Sequence, residues 1–335
     1  MFVKYFRLLL FPFSFLYWIF ISVKNFLYDK DILTSYNADR KIICIGNITA
    51  GGTGKTPIAI TVAKELLLRG KKIAILSRGY KRKTQGFLEV NEPNPEKFGD
   101  EPAMMFSRLP DAKIYVSEDR VYAIEKITES FVAELILMDD GLQNRKIKKD
   151  YTIAVINEEN KSIFDRIYLP AGNLRESRTR LNKYNSIILN YKFSSGHDKS
   201  TEPNTYSCKY KLDGFYRNME NKISVGEVLT KKVLAFCGIA DSDSFFKTLK
   251  NLGLTITQQV AFNDHHNFND YDIDKLIQLC NEIGSEFAIT TEKDFIRLTK
   301  HSKKIEQSGI NFLHTKIFAE IENLDGLVSK ILRIN

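Results

Sequence analysis

Cysteine is scarce in this chain. The four present, at positions 44, 208, 237 and 280, form no CxxC pair. That spacing offers neither a disulfide framework nor a zinc ribbon, and a reducing compartment is the simplest setting. Internal repeats and low-complexity segments are also missing. Negative charge is in deficit: 49 Lys and Arg against 41 Asp and Glu leave +8, a balance that suits an anionic partner. No basic stripe interleaved with aromatics is found, so nucleic acid is set aside in favour of a phosphorylated metabolite or an acidic membrane surface. What is present is a globular composition, 43% hydrophobic and 27% charged over 335 residues, long enough for two domains.

The longest apolar run lies near the start. Leu8 to Val23 hold 13 apolar residues in 16, six of them aromatic. A membrane-spanning helix needs about 20 such residues, and Pro12 interrupts this run early. Lys4 and Arg7 precede it while Lys24 and Lys30 follow it, so no one-sided basic excess orients a span. No small-residue cleavage site follows, and a removable signal peptide is not expected. An aromatic-rich helix with basic ends sits well at headgroup level. Residues 1–30 therefore read as a membrane-associating helix, ahead of a helix buried on the domain and of a single span.

The strongest signal comes next. Lys41–Gly46 (KIICIG) is a short apolar run suited to one buried strand, and it leads into Asn47-Ile-Thr-Ala-Gly-Gly-Thr-Gly-Lys-Thr-Pro57 and an amphipathic helix ended by Gly70. Strand, glycine loop, Gly-Lys-Thr and helix in that order form a phosphate-binding context. Glycines let backbone N–H groups turn inward on phosphate oxygens, and the helix N-terminus adds positive potential. The expected nucleotide-binding set is Thr49, Ala50, Gly51, Gly52, Thr53, Gly54, Lys55 and Thr56. Lys55 would reach the β- and γ-phosphates, and the Thr56 hydroxyl would hold Mg²⁺. Thr49 stands where the general pattern has glycine, a departure that Gly51 and Gly52 tolerate. Ala50 occupies the place of the lysine found in partitioning ATPases, and no Asn/Thr-Lys-x-Asp tetrapeptide is present to read guanine. Thr291-Glu-Lys-Asp294 comes close but sets Lys and Asp side by side. Both absences favour an ATP-dependent transferase.

Beyond the loop, apolar runs alternate with helical patterns: KKIAILS (71–77), AKIYVSE (112–118), ELILMDD (134–140), YTIAVIN (151–157) and NSIILN (185–190). That rhythm predicts a mostly parallel sheet with helices on both faces. Asp213-Gly214 within an alternating stretch reads as a hairpin, and from Lys231 the rhythm resumes. The fold class is α/β: a P-loop NTPase-type domain over 31–195, a linker with a β-hairpin over 196–230, and a second, smaller α/β domain over 231–335.

Two carboxylates, Asp139 and Asp140, close a predicted strand, the place where such folds hold a metal. Gly99-Asp100-Glu101-Pro102 opens a helix, so Asp100 reads either as an N-cap or as a base for a hydroxyl proton. Asp264-His265-His266 lacks further ligands at metal spacing, which leaves a carboxylate–His pair for proton handling. The basic runs 81–83 and 145–149 read as solvated faces that could also meet lipid headgroups or a substrate phosphate.

Together these motifs resemble the tetraacyldisaccharide 4′-kinase family of lipid A biosynthesis. The likeness runs through GNITAGGTGKTP (46–57), LSRGY (76–80), GDEP (99–102), SEDR (117–120), DDGLQ (139–143), LPAGNLRE (169–176), DHH (264–266) and TEKD (291–294). Thr49 is a habit of that family. The resemblance implies an ATP- and Mg²⁺-dependent kinase at the cytoplasmic face of the bacterial inner membrane. Its substrate would be an acylated glucosamine disaccharide 1-phosphate, phosphorylated on the 4′-hydroxyl. It implies Mg²⁺ ligands from Thr56, Asp139, Glu101 and Gln143, and a base formed by Asp100 with His265, which Asp140 supports. Arg78, Arg120, Asn173 and Arg175 would contact the sugar or its phosphate. A monomer is expected. The competing class is a membrane-attached regulatory or chaperone-type ATPase that phosphorylates nothing.

Overall fold

Runs such as IAILS and LILMD are apolar on both alternating faces, so neither side can face water and both must be covered. The structure, a computed structural model, describes residues 7–158, 163–194 and 202–333; Lys4 and the first residues of the expected linker lie outside these. The first half holds α1 (Phe11–Asp29), β1 (Lys41–Gly46), α2 (Lys55–Leu68), β2 (Ile73–Ser77), β3 (Leu88–Glu89), α3 (Pro95–Phe98) and α4 (Asp100–Arg108). It continues with β4 (Lys113–Val116), α5 (Arg120–Ser130), β5 (Leu135–Asp139), β6 (Tyr151–Asn157) and β7 (Ser186–Asn190). After these come β8 (Thr205–Tyr216), β9 (Lys222–Ile223), α6 (Val225–Leu229), β10 (Lys232–Cys237), α7 (Ser242–Asn251) and β11 (Thr255–Ala261). The chain finishes with α8 (Asp270–Ile283), β12 (Phe287–Thr291), α9 (Glu292–Leu298), α10 (Ser302–Gln307), β13 (Asn311–Ile321) and α11 (Leu324–Leu332).

The strands form one continuous sheet in the order β11-β10-β12-β13-β8-β7-β6-β1-β5-β2-β4-β3, with β9 beside β8. The two parallel runs meet where β8 lies antiparallel to β13, from Tyr216 opposite His314 to Cys208 opposite Ile321. The chain does not reverse at Asp213-Gly214. β8 carries straight through with a bulge there, and it turns after Tyr216 to pair with β9. The long β13 offers β8 a full-length partner, and that outweighs the local turn chemistry of Asp-Gly.

Each half is covered on both faces. Ile58, Val62 and Leu66 of α2 fill one side of the first half, and Ile124 and Ile127 of α5 fill the other. In the second half Phe245 and Leu249 of α7 oppose Ile273 and Leu276 of α8. The C-terminal α11 returns to the first half, where Leu327, Val328 and Ile331 join the core beneath α2. Helix α1 inverts the usual pattern. It buries Ser14 and Asn25 against the protein and leaves Phe11, Phe13, Phe15, Leu16, Phe20, Val23 and Phe26 exposed. Among the described residues no helix is long and apolar enough to cross a membrane.

Candidate active site

The glycine loop joins β1 to α2 through Gly54 at φ +78°, a left-handed turn that glycine adopts freely. A Cβ there would stand 1.8 Å from the Tyr210 hydroxyl, which donates to the Gly54 carbonyl at 2.6 Å. Asn190, at the end of β7, donates to the Thr53 carbonyl at 2.9 Å. On its other side the loop is bound by the 171–176 segment: Ala50 N–H donates to Asn173 O at 2.6 Å, and Arg175 N–H donates to Ile48 O at 2.7 Å. The loop is thus fixed through its backbone, with the Ala50 and Thr53 N–H groups already bonded to Asn173 O and Gly51 O, and Lys55 stands at the start of α2 beside it. The Lys55 ammonium donates to Asn47 Oδ1 at 3.1 Å and lies 3.6 Å from Asp140 Oδ1.

The acids at the end of β5 differ from each other. Asp139 is buried, and burial together with the neighbouring Asp140 charge pushes its carboxyl up to about 7. Its Oδ1 and the Thr53 hydroxyl are buried polar atoms without a hydrogen-bond partner among the described residues. Burial pushes Asp140 up as well, but Lys55 and Arg175 outweigh it and hold that carboxyl below its ordinary value. An orphaned carboxylate oxygen beside a glycine loop fits a cation bound with phosphates. Among the described residues no cluster of three or more His, Cys, Asp or Glu could hold a metal alone. Gln143 is a strut: its amide nitrogen donates to Asn47 O at 2.9 Å and to Glu176 at 3.3 Å.

A second group forms where α4 meets α9. Asp100, at the start of α4, is 8% exposed and takes hydrogen bonds from Arg297 at 2.9 and 2.6 Å. His265 Nδ1 lies 2.6 Å from Asp100 Oδ2, so residues 165 positions apart meet. Burial raises the Asp100 carboxyl, yet Arg297 and His265 overcome it and hold the group well below the usual carboxylate range. The imidazole Nδ1 therefore carries the proton toward Asp100, and Nε2 is the accepting nitrogen. Lys293 Nζ sits 3.3 Å from that Nε2 and 3.6 Å from Glu101. The Glu101 charge is among those that raise the Asp139 carboxyl, after burial and Asp140.

The sequence profile of the tetraacyldisaccharide-1-P 4′-kinase family matches residues 6–333. The chain belongs to the tetraacyldisaccharide 4′-kinase family. It is 36% identical to the tetraacyldisaccharide 4′-kinase of Flavobacterium johnsoniae over 98% of both chains. It is 34% identical to that of Aquifex aeolicus over 86% of this chain and 89% of the other. A crystal structure of the Aquifex aeolicus enzyme in complex with ATP superposes with a TM-score of 0.82 at 31% identity, covering 98% of this chain and 99% of that one. As a tetraacyldisaccharide 4′-kinase family member the chain is an ATP-dependent kinase of lipid A biosynthesis, and the regulatory-ATPase alternative is not favoured.

In this family member the structure gathers Lys55, Asp139, Asp140 and Gln143 at the loop, and Asp100, Glu101 and His265 at the seam. Arg175 meets both Asp140 oxygens at 3.1–3.2 Å. Arg120 is buried, with two N–H arms donating to the Asp139 and Asp140 carbonyls at 2.9 Å, so it braces the acidic turn. Arg78 is exposed just past β2, close enough for its charge to act on Arg120. Asn173 lies between α1 and the loop, its Oδ1 accepting from Arg7 at 2.9 Å. Sequence reasoning quoted the TEKD run without assigning Lys293 a role, and it passed over Arg297 and Glu176. A buried acid needs a cation, and Lys293 and Arg297 stand one helical turn apart, which was the available signal.

Proposed function

We propose that this chain transfers the γ-phosphate of ATP to the 4′-hydroxyl of an acylated glucosamine disaccharide 1-phosphate at the cytoplasmic surface of the inner membrane. The observations that carry the reading are the glycine loop with Lys55 beside Asp140 and the pairing of Asp100 with His265 from the other half, where Glu101 next to Asp100 meets Lys293 at 3.6 Å. The backbone of 49–54 and Lys55 hold the triphosphate, while Thr56, Asp139 and Glu101 hold Mg²⁺. Bound Mg²⁺ supplies charge neutralisation on the β- and γ-phosphates. Gln143, committed to Asn47 and Glu176, positions the loop beside them. Asp100 is held too acidic to take a proton at neutral pH. It orients His265 instead, and Nε2 receives the hydroxyl proton as the sugar oxygen attacks phosphorus in line. This assigns the proton to His265 within the Asp100–His265 pair, a division of roles that the sequence leaves open.

Helix α1 supports the membrane part of the reading, since most of its exposed side chains are aromatic or aliphatic while Ser14 and Asn25 turn inward. Arg175 pairs with Asp140, its backbone carbonyl accepts from Tyr17 of α1, and Asn173 accepts from Arg7 just before that helix; together with the exposed Arg78 they are the groups a sugar phosphate held at the lipid surface would meet. Every group named comes from one chain, so a monomer suffices.

ATP turnover by the full chain in detergent micelles, with and without an acylated disaccharide 1-phosphate, tests the reading. ADP should form one-for-one with phosphorylated lipid. Turnover indifferent to the lipid, with no phosphorylated product, would return the regulatory-ATPase reading.

A further inference from the structure

The nitrogen that must receive the hydroxyl proton is already taken. Lys293 Nζ lies 3.3 Å from His265 Nε2, with Asp100 Oδ2 at 3.7 Å and Glu101 Oε1 at 3.6 Å. An acceptor hydroxyl needs to come within about 3 Å of the same Nε2, so ammonium and hydroxyl cannot both occupy that place. The neighbours of Lys293 in sequence are fixed. Glu292 is buried and paired with Arg108 of α4. Asp294 is fully buried and bound by the Gly238 N–H at 2.9 Å, the Thr291 hydroxyl at 2.7 Å and Arg297 at 2.8 Å. The backbone of Lys293 is therefore held on both sides, and only its four-carbon stem is free to move. Its side chain is 23% exposed, and Glu101 offers the ammonium a second anion on the phosphate side.

We propose that Lys293 is a place-holder: it covers the accepting nitrogen of His265 until a sugar hydroxyl displaces it toward Glu101 and the triphosphate. The proposal rests on the reading of His265 as proton acceptor. Water attacking the γ-phosphate would have to deliver its proton to the same nitrogen. While the ammonium donates there, water finds no base and ATP is spared. When the acceptor enters, its O–H proton passes to Nε2, the new O–P bond forms and the bond to ADP breaks. The ammonium keeps its three protons throughout and stands beside the charge being transferred.

The experiment compares transfer and acceptor-free hydrolysis in the full chain for Lys293→Met, Lys293→Arg and His265→Ala. For Lys293→Met, hydrolysis without lipid should rise about tenfold while kcat for transfer falls about tenfold, because the base is uncovered and the cation is lost. KM for ATP should stay within about threefold, as Lys293 lies outside the phosphate loop. Lys293→Arg, which still donates to Nε2, should bring hydrolysis back toward the starting rate. In a His265→Ala background the Lys293→Met change should no longer raise hydrolysis. An unchanged ratio of hydrolysis to transfer in Lys293→Met, or an equal fall of both, overturns the place-holder. Lys293→Leu, which also lacks a donor for Nε2, serves the same test if Lys293→Met unfolds. Full transfer by His265→Ala would instead overturn the proton-acceptor reading, whatever Lys293→Met does.

Discussion

The phosphate loop and the Asp100–His265 pair are held in opposite ways. The loop is fixed by main-chain hydrogen bonds to the 171–176 segment and by Tyr210 and Asn190 reaching its carbonyls. The pair is fixed by side-chain charge across two halves, with α4 giving Asp100 and Arg108 while α9 gives Arg297 and Glu292. A site built from backbone survives most single substitutions and fails mainly at the one side chain that touches phosphate. A site built from mutually buried charges behaves as a unit, because removing one partner strands the other.

The sharpest break in that comparison is at Lys55. Lys55→Ala should lower kcat by about 10³-fold with little change in unfolding temperature, since the loop needs no side chain there to keep its shape. Near-normal kinase activity would remove the phosphate loop from the mechanism. The pair comes next. Asp100→Asn and His265→Ala should each cost about 10²-fold in kcat, and the double variant should be little worse than the poorer single. Losses that multiply, or a failure chiefly in ATP binding, would separate the two residues and end the idea of a unit.

The same contrast explains what could be read from the sequence. The loop is contiguous, so strand, glycines, Lys55 and Thr56 stood in one run with their chemistry intact. Buried parallel strands such as Leu135–Asp139 and Tyr151–Asn157 were legible as short, largely apolar runs. The meeting of Asp100 and His265 came only through the family resemblance, for nothing local in either segment points to the other. Arg297 stayed without a role because its partner Asp100 lies on α4, 197 positions away, and Lys293 because the side chains it meets, His265, Asp100 and Glu101, come from other segments. The hairpin signal at Asp213-Gly214 misled because long-range pairing with β13 overrides a two-residue preference.

Helix α1 extends the comparison to a surface that neither the loop nor the pair uses. Phe13, Leu16 and Phe20 are exposed and face away from Ser14 and Asn25. Replacing all three with Ser should reduce recovery on anionic lipid vesicles by about tenfold, as several exposed apolar side chains lose a lipid phase to enter. Turnover of lipid substrate dispersed in micelles should change less than threefold. Unaltered vesicle binding would place the membrane contact elsewhere.

The smallest effect expected at neutral pH is at His314, on the ribbon that joins the halves. His314 is fully buried opposite Tyr216, stacked on that ring at 5.7 Å and packed against Phe295 at 4.4 Å. Its Nε2–H donates to the Asn218 carbonyl at 3.1 Å, while Nδ1 has no partner among the described residues. Burial lowers this imidazole from 6.5 to about 4. Between those values the unfolded chain binds a proton that the folded chain refuses, so stability falls as pH drops from 6.5 toward 4 and is unaffected above 6.5. The full difference, 6.5 − 4, corresponds to about 3 kcal/mol at most. Carboxylates titrate across the same range, so the informative quantity is the difference from His314→Gln, which keeps a donor for Asn218 but cannot titrate. Urea unfolding should show the wild-type chain losing more stability than the variant between pH 6.5 and 4.5, with parallel curves from pH 7 to 8. Parallel curves throughout would mean that the His314 imidazole takes up its proton without breaking the ribbon, and the seam would then be as tolerant as the loop.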